Sequence, residues 1–207
     1  EVTYKVKPVR AMAVEHVRYT TDELADRLDE LIAGNRSMML YLFPFLDSVV
    51  VEYRYDSTRP IRNGAWQWKL RNWVWKTGSP GFARIVTALV PATRLLAFIL
   101  NVYGRITRLV LVALLRASDT NPADQIIRYP PEAGFSSYTF SIWAFPQEEY
   151  AQTLRAYYRF CEDYYQQTGY RCNLLNVGYS IAADTQSLFS YTRRGPALAL
   201  DPVSTGS

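Results

Sequence analysis

One order of elements occurs twice in this chain, and that recurrence limits the fold more than any other feature. "RYTTDELADRLDELIAGN" opens with Thr20 and Glu23 at capping-box spacing, sets Leu24, Leu28, Leu31 and Ile32 on one face, and closes at Gly34. That pattern predicts an amphipathic helix. Val9 to Val14 before it suits a strand; "MMLYLFP" and "SVVVEYRY" after it suit two more, the second alternating Val49, Val51, Tyr53 and Tyr55 against Val50, Glu52 and Arg54. The order is β-α-β-β. Near the other end "SSYTFSIWAF" suits a strand, and Pro146 takes the first position of a helix running to about Thr168 with Gly169 as its stop. "LLNVGYSIAADTQSLFSY" (Leu174 to Tyr191) then suits two strands around a turn. Two such units predict an α+β fold: an antiparallel sheet with helices on one face, in two ferredoxin-like halves.

Residues 1–56 form the first half and 119–207 the second, so 57–118 is an insertion between them. Its charge is one-sided: it holds Arg59, Arg62, Lys69, Arg71, Lys76, Arg84, Arg94, Arg105, Arg108 and Arg116 and no Asp or Glu, whereas the rest of the chain has 13 basic against 19 acidic residues. The insertion is helical by composition, with breaks expected at Gly78 to Gly81 and near Pro91. Its longest uncharged run, Leu95 to Gly104, is ten residues. A span needs about 20, so no transmembrane helix is expected.

Trp66, Trp68, Trp73 and Trp75 interleave with Lys69, Arg71 and Lys76, a pattern that fits a segment lying in an anionic membrane interface. The same residues fit equally well against the rest of the protein or a second copy, as in a homo-oligomer. Nucleic acid is not an expected partner, because long apolar helices do not suit a solvated groove.

The remaining composition excludes several classes. With 49% hydrophobic and 20% charged residues the chain is globular and not disordered. Two cysteines, Cys161 and Cys172, without a secretory signal read as reduced thiols in a cytoplasmic protein, peripheral to a membrane if the insertion meets one. His16, the single histidine, reads as a solvated side chain beside Glu15, and no metal site is expected. The helix face Tyr150, Leu154, Tyr157, Cys161, Tyr164 reads as core. A first residue other than Met and an ending just after "ALAL" suggest a piece of a longer protein.

"DELIAGNRSMMLYLFPFLDSVVVEYR" resembles the start of the substrate (cap) domain of the aldonolactone and alditol oxidases, FAD-linked enzymes of the vanillyl-alcohol-oxidase class. In that family a helix ending in Gly-Asn or Gly-His runs into an aromatic strand bearing Phe-Pro and then Asp; here the positions are Gly34, Asn35, Tyr41, Phe43, Pro44 and Asp47. Leu174 to Tyr191 is similar to the family's strand-turn-strand, with Asp184, Leu188 and Ser190 at matching spacing. The resemblance covers about Ala11 to Tyr55 and Ser137 to Pro202, not the insertion.

This resemblance implies the substrate-binding domain of an FAD-dependent oxidoreductase acting on a CH-OH donor, with the cofactor held mainly by a separate domain and no activity in this part alone. It implies a small-molecule substrate contacted by Tyr179, Asn176, Val177, Ser180, Tyr41 and Phe43, with Asp47, Asp184 and Ser190 as framework; no residue is assigned as catalytic. The family's Glu and Arg, suited to a polyol, are replaced here by Val177 and Tyr179, so a less polar pocket is expected. Two alternatives accompany this reading: an FAD-dependent reductase of a lipid or sterol double bond, and a membrane-peripheral module without catalysis.

Overall fold

Thr20 starts the first helix in both directions of the capping box. Its hydroxyl accepts from the Glu23 N–H, and the Glu23 carboxylate accepts from the Thr20 N–H at 2.7 Å. The helix, α1 (Thr21–Ala33), joins strand β1 (Ala11–Tyr19) to β2 (Ser37–Phe43), and a short 3₁₀ turn leads on to β3 (Ser48–Asp56). The computed structural model describes residues 11–34, 36–60, 66–113, 121–126, 137–187, 190 and 192–205. Val9, Asn35, Arg62, Arg116, Leu188 and Tyr191, which the sequence reading uses, lie outside them.

The second half repeats the order with β6 (Trp143–Pro146), α6 (Tyr150–Thr168), β7 (Asn176–Ile181) and β8 (Ala197–Asp201). Between the halves lie α2 (Trp66–Trp73), α3 (Ser79–Leu89), α4 (Thr93–Ala113), β4 (Asn121–Pro122), α5 (Ala123–Ile126) and β5 (Thr139–Phe140); β9 (Val203–Ser204) pairs with β5 in a separate two-stranded sheet. The main sheet has the order β4-β1-β3-β2-β7-β8-β6, with β2 and β7 antiparallel at its centre. Each half therefore contributes its strands in mirrored order, β1-β3-β2 against β7-β8-β6. A pseudo-twofold axis between β2 and β7 relates the halves and places α1 and α6 on the same face.

That face carries one core, where Leu24, Leu28 and Leu31 of α1 and Tyr150, Leu154 and Tyr158 of α6 meet Leu40, Leu42, Val49, Val51 and Tyr53. The buried stripe of α6 runs through Tyr158 rather than on to Tyr164, which is exposed. Tyr158 also bolts α6 to the β2–β3 turn: its hydroxyl donates to the Ser48 carbonyl and accepts from the Phe43 N–H. Gly178 lets α6 come this close, since a Cβ there would stand 2.6 Å from the Ala199 carbonyl oxygen and 2.8 Å from the Tyr150 hydroxyl. Gly178→Ala is therefore expected to cost about 1–3 kcal/mol; an unchanged urea midpoint would show that the contact tolerates a methyl group.

The insertion covers the opposite face over the first half of the sheet. Trp68, Leu111 and Ile126 pack there on Val14, Met39, Tyr41, Val50 and Val177. The expected break at Gly78 to Gly81 is absent: α2 passes into α3 through a π-helical turn, Val74–Gly78, in which the Ser79 N–H bonds to the Val74 carbonyl. Pro80 has no N–H and its ring would clash with a carbonyl four residues back; the wider turn accommodates it without ending the helix. The break near Pro91 is present. Among the described residues α4 is long and apolar enough to cross a membrane by length and composition, because its apolar pattern continues past Arg105 beyond the uncharged run.

Three boundaries differ from the sequence reading. β1 runs on to Tyr19, "SSYTFSIWAF" divides into β5 and β6, and Pro146 ends β6 ahead of a 3₁₀ turn. The partner of β7 is the "ALALD" strand β8, not the stretch ending at Tyr191.

Candidate functional site

The face of β2 that meets the insertion carries Met39, Tyr41 and Phe43, and its register sets Tyr41 beside Val177 and Met39 beside Tyr179. Val177 in turn lies beside Asp201 of β8. A row Tyr41–Val177–Asp201 thus crosses the sheet on this face. Asn176 and Ser180 alternate to the opposite face, as strand geometry requires. Asn176 is buried there, donating to the Tyr157 hydroxyl and accepting from the Val203 N–H, and Ser180 lies beside Leu198. Of the six proposed contact residues, Tyr41, Phe43, Val177 and Tyr179 share a face and the other two do not.

Between the insertion and Tyr41 lies a cavity of about 380 Å³, whose lining includes Tyr41 of this row but not Val177, Tyr179 or Asp201. Tyr41, Val74, Trp75, Leu111, Leu174, Leu175 and Val203 form its walls; Trp66, Leu70, Ile106 and Val110, all exposed, form its rim. Its size falls within the roughly 300–1,000 Å³ of small-molecule sites. Of the described residues lining it, only Arg71 is charged. The π-helical turn supplies Val74 and Trp75, and the Trp75 ring meets the Tyr41 ring edge-on at 6.0 Å between centroids. Phe43 and Asn176 instead border a smaller neighbouring space of about 50 Å³.

The polar end of the cavity is a buried cluster centred on Glu52. The register of β1 with β3 pairs His16 with Glu52, and the Glu52 carboxylate accepts from His16 Nε2 at 2.9 Å, the Tyr41 hydroxyl at 2.8 Å and Arg71 at 2.8 Å, with Arg54 on its other oxygen. Burial works to raise its pKa, but Arg71, the His16 bond and Arg54 together hold the carboxyl well below its ordinary value. Burial pushes the Tyr41 phenol up. The Tyr41 oxygen also accepts from Arg71 at 2.8 Å, so an anchored phenol and guanidinium end a mostly apolar chamber. On the helix side, the Ser79 and Tyr103 hydroxyls bond each other.

His16 is thus buried, contrary to the solvated reading: the longer β1 places it in the ladder, and Trp68 stacks over it at 6.4 Å. The sequence assigns neither His16, which it reads as solvated, nor Glu52 to a site. Trp68 and Arg71 also turn inward, since they bind the sheet, and Trp75 is half-buried; Trp66, Trp73 and Lys69 are exposed and Lys76 is half-buried.

The framework residues act on turns. Asp47, in a left-handed turn at φ 40°, accepts from the Thr21 hydroxyl at 2.6 Å and so ties the β2–β3 turn to the start of α1. Asp184 closes an Asx turn, where bonds from Ser187 and the Gln186 N–H lower its pKa. Ser190 bonds to Thr192. Cys161 and Cys172 are free thiols, and burial pushes Cys161 up to about 11.

Asp201 stands apart from these. It is buried, one carboxylate oxygen has no hydrogen-bond partner among the described residues, and burial raises its pKa from 3.8 to about 6. A group whose pKa is raised by folding stabilises fully below its unfolded value and loses that contribution as pH rises through the folded one. Asp201→Asn should therefore stabilise the protein at neutral pH by roughly 1–3 kcal/mol, with the gain vanishing as pH falls below 3.8. Unfolding midpoints that differ equally at all pH values would contradict this.

No protein-family model and no curated protein matches the sequence. Among solved structures the fold is similar to that of a mutant of cholesterol oxidase from Brevibacterium sterolicum, with a TM-score of 0.56 and 11% identity. The match covers 97% of this chain and 43% of that one. This chain therefore shares its α+β architecture with part of an oxidoreductase, and spans less than half of that protein's length.

Proposed function

We propose that this chain is the substrate-binding domain of an FAD-dependent oxidoreductase that oxidises a CH-OH group on a largely apolar molecule. The observation that carries the reading is the cavity of about 380 Å³, closed at one end by Tyr41 and Arg71 and mostly apolar elsewhere, with Gln67, Ser79, Tyr103, Thr107 and Tyr138 as its other polar side chains. Its setting, in a fold shared with part of a cholesterol oxidase and bearing the motif residues Tyr41, Phe43, Pro44, Asp47 and Asp184, supports the class. The lining supports the apolar substrate, since Arg71 is the one charged residue among its described members, and Val177 and Tyr179 stand where the lactone and alditol oxidases carry Glu and Arg.

The cavity does not fit FAD itself. A dinucleotide's phosphates call for several cations or a row of free backbone N–H groups, and among the described lining residues Arg71 is the one cation, already bonded to Glu52 and Tyr41. FAD would be held by other parts of the protein. This chain's share is binding and orientation: the apolar walls exclude water, and the Tyr41 oxygen, which has one acceptor position left beside its bond from Arg71, accepts a hydrogen bond from a substrate hydroxyl.

A second reading, reduction of a lipid or sterol double bond, draws on the same walls. It is favoured by one observation: no described residue lining the cavity is Asp, Glu or His, so none there can take the proton of a CH-OH group as a general base. Binding and direction are tested on the full-length protein. A fluorescent apolar probe should be displaced by polycyclic or long-chain alcohols and not by sugar alcohols; displacement by sugar alcohols alone would refute the apolar assignment. Reoxidation of chemically reduced flavin by an unsaturated lipid would replace oxidation with the second reading.

A further inference from the structure

We propose that the outward face of the insertion docks on an anionic lipid bilayer, lying in the interface plane with the mouth of the cavity turned toward the acyl layer. This goes beyond the flavin reading and stands without it. Each insertion helix presents an apolar stripe to the outside at helical spacing: Trp66, Leu70 and Trp73 on α2, Phe82, Ile85 and Leu89 on α3, and Leu95, Phe98, Val102, Ile106 and Leu109 on α4. These are not grazing exposures, since Trp66 and Phe98 are 65% exposed, Leu109 66% and Leu89 73%. Apolar patches of this extent on one side of a domain mark an interaction surface.

Charge decides the occupant. Lys69, Arg84, Arg94 and Arg105 are exposed among the stripes, and residues 57–118 contain no Asp or Glu. A second copy meeting this face through a twofold axis would set cations against cations. An anionic bilayer offers acyl chains to the stripes and headgroup charge to the cations, about 1 kcal/mol for each near the surface. The cavity rim, Trp66, Leu70, Ile106 and Val110, belongs to the same stripes, so docking would open the cavity to lipid rather than to water. The orientation is in-plane and not spanning: α4 turns Ala97, Leu100 and Leu111 inward and rests at Gly104 against Leu46 and Phe43. Arg105 and Arg108 also interrupt the apolar length of α4.

The test is sedimentation of the full-length protein with vesicles of phosphatidylcholine alone and of phosphatidylcholine with phosphatidylglycerol, at low and raised salt. Binding is expected to the anionic vesicles, weakened by salt. Phe98→Asp and Leu109→Asp, exposed positions away from the cavity, should each lower partitioning about tenfold, and Arg94→Glu with Arg105→Glu should remove the preference for anionic lipid. Circular dichroism identifies any variant that fails to fold, and two independent pairs keep the result readable. Protein that stays in the supernatant with both vesicle types overturns the proposal. So does Phe98→Asp that sediments unchanged while dissociating a dimer in solution, which would make this face an interface between copies. Flavin content measured in the same samples separates the two readings: coloured protein that does not sediment sinks docking alone, and colourless protein that sediments sinks the flavin reading alone.

Discussion

Glu52→Ala should destabilise the protein by about 3–5 kcal/mol, a large share of the roughly 5–15 kcal/mol that holds a domain together. The size follows from what remains. Arg71, Arg54, His16 and the Tyr41 hydroxyl all direct donors at this one carboxylate, and Arg71, His16 and Tyr41 do so from buried positions with little solvent to turn to in its place. Arg71 is also a polar link between insertion and sheet, since it stands on α2 and bonds Glu52 of β3, with a further bond to the Ile126 carbonyl of α5. The loss should fall well short of additive in a Glu52→Gln, Arg71→Met double variant, because removing both charges leaves neither uncompensated. Urea unfolding of the full-length protein measures both. A loss below about 1 kcal/mol for Glu52→Ala would mean that the cluster is solvated and the insertion held by apolar contacts alone.

Val110→Trp should reduce turnover of an apolar substrate about 10- to 100-fold while leaving the fold intact. Val110 stands on the rim of the cavity and is partly exposed, so an indole there has room outward during folding but obstructs the entry of a rigid ligand. Probe binding should weaken in parallel with kcat/KM, and the unfolding midpoint should stay close to wild type. Wild-type turnover in this variant would show that substrate does not use this cavity. Lower turnover accompanied by early unfolding would instead place Val110 in the structural core.

The paired halves were legible in the sequence because their helices carry strong local signals. The Thr20 and Glu23 capping box and the Gly169 stop both stand where the pattern set them, Gly169 in the left-handed conformation at φ 74°. The site was legible only in part, and alternation explains why. Glu52 and Arg54 occupy the polar phase of β3, which on an ordinary half-buried strand means solvent. Here the insertion covers that phase, and no periodicity within β3 reports a cover made of residues some 20 positions away. A signal did exist in the composition: 57–118 holds ten cations and no acid, so any of them that is buried needs a counter-charge from elsewhere, and Glu52 is the acid within the run of β3 suited to burial. Asn176 and Ser180 were grouped with Tyr179 by nearness in sequence, yet a strand sends alternate side chains to opposite faces, and these two meet α6 and its core rather than the cavity side. Trp68 and Arg71 read as interfacial for the same reason, since a helix spacing alone does not say which stripe faces inward.

The most direct test of the apolar-donor reading is anaerobic mixing of the full-length protein with alcohols of two kinds, followed by absorbance. The account predicts a yellow protein whose flavin band near about 450 nm is bleached by a polycyclic or long-chain secondary alcohol and untouched by sugar alcohols or sugar lactones. Bleaching by the sugar derivatives, with none by the apolar alcohols, would contradict it.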